Sequence, residues 1–411
     1  MRIVASSNTR TVRRLLDRTQ MVNPAVEEQV ARIVAGVRRR GDRALTQYAR
    51  RFDRVTGPVE VSRQEIQNGA RQTPPSVRRA IKEAARHIRR VASKQVPKGW
   101  RTTTVPGVVI EQRVTPLERV GCYVPGGRYP LPSSLLMTAL PAQVAGVRDI
   151  IAACPRPEPA VLAAALEAGV SRLYRVGGAQ IIAAMAYGTE SVPKVEKIVG
   201  PGNTYVAAAK AQVAGDCPID FYAGPTEIVI VARTGNADWI AADLVAQAEH
   251  DPDARAVLLT SSQQLAKRVA AAVDARLESH LAARPSIAMH GVAIVTKTLD
   301  EAVKLCNQIA PEHAVCETEA VARRLTRAGT ILVGPYGAQA AGDYATGSNH
   351  VLPTNGAARF RGGLSASDFV RVTSVQRVTR PGLRRLAPTA ISLANAEGLI
   401  AHAASVATRV R

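Results

Sequence analysis

The sequence predicts an α/β protein with two doubly wound parallel sheets and helical stretches at either end. Two observations carry this. From about residue 108, short β-branched runs alternate with Ala-rich helical ones, the pattern of a parallel sheet covered on both faces. At 411 residues the chain is also too long for one small core, so at least two domains are expected.

Three amphipathic helices open the chain, over residues 9 to 18, 24 to 40 and 43 to 53. The second has Asn23 as its cap, Pro24 in its first turn, the stripe Val26, Val30, Ile33, Val34 and Val37, and Gly41 as its stop. In SVRRAIKEAARHIRRVASKQV the apolar stripe is Val77, Ile81, Ala84, Ile88 and Val91. The first alternating series then runs from VVIEQRVTPL through RVGCYVPGG, RDIIAACP, RLYRVG and KIVG to EIVIVAR, with helical segments between. After the helix DWIAADLVAQAEH a second series follows: ARAVLLT, VAIVTK, HAVCE and TILVGP. Past Pro335 the alternation gives way to GAQAAGDYATGSNHVLPTNGAARFRGG, a loop long enough to be functional or disordered. A helical tail over residues 382 to 409 closes the chain, and its Leu383, Leu386, Ile391, Leu393, Leu399 and Ile400 need something to pack against.

Hydrophobic residues make up 46% and charged ones 21%, an ordinary globular balance. No apolar run is long enough to span a bilayer and the first residues hold no apolar signal core, so a cytoplasmic protein is expected. Five cysteines without a close pair argue for reduced, mostly buried thiols rather than disulfides or a zinc ribbon. The net charge of +21 raises the reading of a basic nucleic-acid-binding protein. The first 100 residues hold 23 Lys and Arg against 8 Asp and Glu, so +15 of it lies there, on the polar faces of helices. With only 4% aromatics and no recognisable nucleic-acid-binding string, solvated helical faces explain the charge better.

Chemistry concentrates in a few strings. Gln247 and His250, three residues apart at the end of a helix, place an amide oxygen and an imidazole on one face, where both can converge on one ion. Three glycine turns, YVPGGRYP at 123 to 130, VGGAQ at 176 to 180 and GPGN at 200 to 203, follow strands and open helices, where free amides suit phosphate. None is the G-x-G-x-x-G fingerprint, yet three at one sheet edge fit ligand binding in an open α/β sheet. His87, His280 and His290 carry no assignable role. His313 adjoins Glu312 in APEH, His350 shares GDYATGSNHVLPT with Asp343, and His402 follows Glu397 in AEGLIAH. Imidazole with carboxylate suits zinc-like ions, and an adjacent Glu-His pair suits proton transfer, although a solvated corner would explain the pair equally on spacing alone.

In this order over nearly the whole chain from residue 100, GCYVPGG, VGGAQ, VGPGN, AGPTE, QAEHD, APEH, GDYATGSNHVLPT and AEGLIAH resemble the histidinol dehydrogenase family. The resemblance implies oxidation of L-histidinol through L-histidinal to L-histidine with two NAD, the final steps of histidine biosynthesis. It implies one zinc ion on Gln247, His250, Asp343 and His402, with Glu312 and His313 as acid-base residues. Tyr123, Gln180 and Asn203 match NAD-contacting positions. Thr226, His350 and Glu397 match substrate-contacting ones, with His313 and the metal ligands also touching substrate. It further implies two incomplete Rossmann-like domains in an intertwined homodimer, with Glu397 and His402 reaching the partner's site.

The expected division is an N-terminal extension (1–20), a metal and acid-base domain (21–115 with 229–363), an NAD-binding domain (116–228) and a C-terminal helical extension (364–411). The nearest rival is a zinc- and NAD-dependent dehydrogenase of another small alcohol or diol, against which stand His350 and Glu397.

Overall fold

The computed structural model describes residues 1–17, 24–126, 130–222 and 224–411. Asn23, the expected helix cap, and residues 127–129 of the first glycine turn lie outside them. Fourteen strands occur among the described residues. In chain order they are β1 (Arg2–Ala5), β2 (Glu60–Val61), β3 (Trp100–Val105), β4 (Val108–Pro116), β5 (Arg119–Tyr123), β6 (Asp149–Ala153) and β7 (Arg172–Tyr174). They continue with β8 (Lys197–Val199), β9 (Glu227–Val231), β10 (Arg255–Thr260), β11 (Val292–Val295), β12 (His313–Cys316), β13 (Thr330–Val333) and β14 (Val370–Val378).

Two parallel sheets bear out the predicted α/β class. The first has the order β2-β7-β6-β5-β8, parallel apart from its antiparallel edge β2. The second, β1-β11-β10-β9-β12-β13, is parallel throughout. Every residue of β9, Glu-Ile-Val-Ile-Val, is buried, as expected of a central strand with helices on both faces.

Each sheet reverses its winding once. In the first, β5, β6 and β7 build one way and β8 returns to the far side of β5. In the second, β9, β10 and β11 build one way and β12 returns beside β9. These two reversals are where a crevice opens in such sheets, and the candidate residues gather at both.

Four features differ from the sequence reading. The helices within residues 24–95, grouped there with the second sheet, pack on the first. Val30, Ile33 and Val37 of the helix Pro24–Arg40 join a core with Ile181 and Ile182, and Ile81, Ala85 and Ile88 of the helix Pro75–Gln95 join one with Leu136 and Leu140. The N-terminal extension is only partly helical, because β1 extends the second sheet beside β11. A third, antiparallel sheet, β14-β4-β3, ties residues 370–378 to residues 108–116, so the C-terminal extension is not purely helical. The tail itself is two helices, Arg380–Ala396 and Ile400–Val410, parted at Gly398, whose φ of +75° suits glycine.

One buried ion pair pins the turn after β8. The side chains of Lys210 and Asp220 are 3% and 0% exposed and bond directly to each other. Lys210 Nζ also donates to the Gly200 carbonyl at 2.9 Å, and the Gly200 amide donates to Asp220 Oδ2 at 2.7 Å. Replacing Lys210 with Met strands the Asp220 charge in the core, and the expected loss is about 3–5 kcal/mol of unfolding free energy. Chemical denaturation checks this, and a loss below about 1 kcal/mol would remove the pair from the stabilising interactions.

Candidate active site

The helix Ala237–Ala248 is capped by Asn236, whose side chain accepts the amides of Asp238 and Trp239, and it carries Gln247 in its last turn. His250 lies two residues beyond the helix rather than on it; its amide bonds to the Gln247 carbonyl at 3.4 Å, so the two stay one turn apart. This end of the helix returns to the amino edge of the second sheet, where β9 and β12 begin.

A connected polar chain runs across that edge. Gln247 Nε2 donates to Thr226 Oγ1 at 2.5 Å, and Thr226 donates to Glu312 Oε2 at 2.5 Å. Glu312 Oε2 also accepts the Glu227 amide at 3.0 Å. The direction of this chain is set by its end, since a carboxylate can only accept. Gln247 therefore turns its Oε1 the other way, where it is buried without a hydrogen-bond donor. An orphaned acceptor in a 0% exposed residue is costly unless something positive meets it.

His313 opens β12. Its Nδ1 lies 3.2 Å from the Glu227 carbonyl and 3.7 Å from Glu312 Oε2. A carbonyl accepts only, so Nδ1 carries the hydrogen and the neutral ring keeps its lone pair on Nε2. That atom is buried, has no hydrogen-bond partner and sits 3.4 Å from Asp343 Oδ1. Burial pushes the Glu312 carboxyl up to about 7. Burial also drives the His313 imidazole down, but the carboxylates of Glu312 and Asp343 outweigh it and hold the ring up at about 9. Each group thus acts on the proton affinity of the other, the coupling an acid-base pair requires.

Asp343 comes from the long loop, which folds locally as the short helix Gln339–Tyr344. Gln339, buried and not singled out in the sequence, donates its side-chain amide to Asp343 Oδ2. Its backbone amide bonds to Asp243, one turn before Gln247, where burial pushes the carboxyl up to about 6. The signal for Gln339 was its place four residues before Asp343 on a helix, where such a pair meets. His350 bonds through Nδ1 to the Asp343 carbonyl at 2.9 Å, with its Nε2 3.4 Å from Ser134 Oγ, and burial holds its pKa below the usual value.

The structure does not bring every expected residue together. Glu397 ends the helix Arg380–Ala396 and His402 lies on the helix Ile400–Val410; both are exposed, and neither side chain bonds to the residues above. Among the described residues no three His, Cys, Asp or Glu side chains form a metal-holding group. Of the four expected ligands this region contains only one imidazole, one carboxylate and one amide.

The second crevice lies at the carboxyl edge of the first sheet. A cleft of about 640 Å³ is lined there by Tyr123, Gln180 and Asn203, with Asp53, Arg54 and Arg156. Tyr123 ends β5, and its hydroxyl accepts the Gly178 amide at 3.3 Å. Asn203 caps the helix Thr204–Val213, accepting the Val206 amide at 3.1 Å, which leaves its Nδ2 to donate elsewhere. Gly200, at φ +115°, brings the turn so close that a Cβ would meet the Tyr123 carbonyl at 2.1 Å. Asp53 had no signal in the sequence beyond ending a helix.

Comparison with known proteins shows the family of the chain. The family model described as histidinol dehydrogenase matches residues 16–410. Histidinol dehydrogenases of Brucella suis and Methanothermobacter thermautotrophicus are similar at 48% and 45% identity, covering 95% and 98% of this chain and 94% and 97% of theirs. A solved histidinol dehydrogenase from Elizabethkingia anophelis superposes with a TM-score of 0.94 at 32% identity, over all of this chain and 98% of that one.

Proposed function

The chain belongs to the histidinol dehydrogenase family, enzymes of histidine biosynthesis acting on L-histidinol, and from that membership we propose how its own residues divide the work. The reading is a zinc-dependent, four-electron oxidation of L-histidinol to L-histidine by way of L-histidinal, with two NAD. It takes place in the cytoplasm, in a homodimer with shared sites; no helix among the described residues is long and apolar enough to cross a membrane.

One observation carries the metal assignment: the buried, donorless Oε1 of Gln247, one turn from His250 and linked through Thr226, Glu312 and His313 to Asp343. An amide oxygen, a carboxylate and an imidazole form a mixed nitrogen and oxygen set that suits zinc, and His402 of a second subunit supplies the fourth ligand. Bound there, zinc would supply a Lewis-acidic anchor for the substrate. In the 640 Å³ cleft NAD supplies the hydride acceptor, held by Tyr123, Gln180 and Asn203.

In the first oxidation His313 Nε2 takes the hydroxyl proton as the carbinol C–H bond gives up its hydride, leaving the aldehyde. His313 releases that proton to solvent; Glu312 and His313 together then draw one proton from water as it adds to the aldehyde carbon, and Glu312 retains it. His313 accepts the remaining hydroxyl proton as the second hydride departs, and the carboxylate results. Thr226 holds Glu312 and Gln247 in register, so the base and the substrate anchor keep a fixed spacing. His350, Thr226 and the partner's Glu397 line the substrate.

The direct test is NADH formation from L-histidinol with and without a chelator. Two NADH per histidinol are expected, lost on chelation and restored by zinc; undiminished turnover by metal-free enzyme would sink the zinc assignment.

A further inference from the structure

The cofactor cleft contains a carboxylate that the reaction does not use. Asp53 is half-buried in its wall; it makes no salt-bridge contact with the described residues, although the Arg156 charge acts on it. Its Oδ2 accepts Gln180 Nε2 at 3.0 Å, and it also accepts the Gly177 amide. Because a carboxylate only accepts, this contact fixes which way the Gln180 amide points: Nε2 faces Asp53, and Oε1 is left without a donor from the described residues. Gln180 is 2% exposed, so the amide has little room to turn over. This part of the cleft therefore presents two acceptors side by side, a carboxylate and an amide oxygen.

A wall of acceptors matches a ligand edge made of donors. In a dinucleotide the donors are the ribose hydroxyls. A ribose carrying a 2′-phosphate offers acceptors and about two negative charges, which the Asp53 carboxylate repels in a poorly solvated setting. Among the described residues the cleft's lining cations are Arg54 and Arg156; both are exposed and sit in the left-handed backbone region, at φ 59° and 54°. They match the diphosphate, whose charge no glycine fingerprint is present to meet.

We propose that Asp53, directly and by orienting Gln180, selects a dinucleotide with a free ribose 2′-hydroxyl over its 2′-phosphorylated counterpart. The inference rests on the reading of this cleft as the NAD site.

The test is kcat/KM with NAD and with NADP for the zinc-loaded wild type, Asp53→Asn and Asp53→Ser. The NADP-to-NAD ratio is expected to rise at least about tenfold in both variants. An equal fall with both cofactors, or no change with either, overturns the proposal and leaves Asp53 a structural residue. Direct titration of the wild type tests it without any substitution or turnover: in calorimetry adenosine 2′,5′-bisphosphate should bind at least about tenfold more weakly than AMP, and equal affinity overturns the proposal. Gln180→Leu separates the two levels of inference. If its KM for NAD is unchanged, the cleft is not the cofactor site and the underlying reading fails. If that KM rises while the Asp53 variants keep the wild-type ratio, only the selectivity proposal fails.

Discussion

His313→Gln is expected to lower kcat for both oxidations by about 10²–10⁴-fold while zinc content stays at the wild-type level. Glutamine keeps a polar side chain beside the Glu227 carbonyl but has no titratable nitrogen to replace Nε2, the atom left as the lone-pair end by the Nδ1 contact. Both steps should suffer, because each ends with an oxygen-bound proton leaving as a hydride departs. Glu312→Gln should divide differently. Its carboxylate accepts from Thr226 and from the Glu227 amide and serves the water-adding step, so oxidation of L-histidinal should fall further than oxidation of L-histidinol. Separate assays on the alcohol and the aldehyde, with metal analysis of each variant, check both. Unchanged rates in His313→Gln would reassign the base.

The parts of this molecule that were readable in its sequence are those with local causes. The run EIVIV reads as a buried strand because four β-branched residues in a row, too few for a helix, favour extended backbone, and the glycine turns at 176–180 and 200–203 follow strands because glycine's backbone is needed there. Strand β14 was not readable. VRVTSVQRV is mostly exposed and its partner lies some 260 residues earlier, so neither burial period nor neighbouring turns announce it. The packing of the opening helices was equally hidden, since an apolar stripe such as Val30, Ile33 and Val37 shows that a face is covered without showing by which sheet.

The site divides in the same way. The strings containing Glu312 and His313 stood out as a pair of residue types. The direction of the Gln247–Thr226–Glu312 chain, which turns Gln247 Oε1 outward, depends on three segments meeting. Asp53 matters only through what it bonds, Gln180, so nothing in its own neighbourhood marked it, and the one local signal for Gln339 was its spacing from Asp343. The sequence rule that places ligands at the carboxyl edge of a parallel sheet fits the cleft beside β5 and β8. It does not fit the acid-base pair, which uses the same kind of reversal, between β9 and β12, from the amino edge. The cause is Gln247: a helix that follows a strand returns its C-terminal end to the amino edge, and a ligand carried there can be met only by residues at the strand starts.

Mixing two inactive variants should restore activity. Leu393, Leu399 and Ile400 of the tail are 60%, 44% and 65% exposed, and the same tail holds Glu397 and His402 away from the ligands they are expected to join. Both facts have one explanation if the tail packs on a second copy of the chain and completes its site. His250→Asn and His402→Asn should each abolish zinc retention and turnover alone. In a heterodimer of the two, one site receives both substitutions and the other receives neither, because His250 and His402 of any one site come from different chains. Random reassociation of equal amounts gives heterodimers in half of the molecules, each with one intact site of two, so roughly a quarter of wild-type activity and zinc content should return. If each site took both residues from its own chain, every site in the mixture would carry one substitution and nothing would return. Co-refolding the two variants and measuring NADH formation and bound zinc together distinguishes the outcomes, and zero recovery from well-folded mixed dimers removes the shared site.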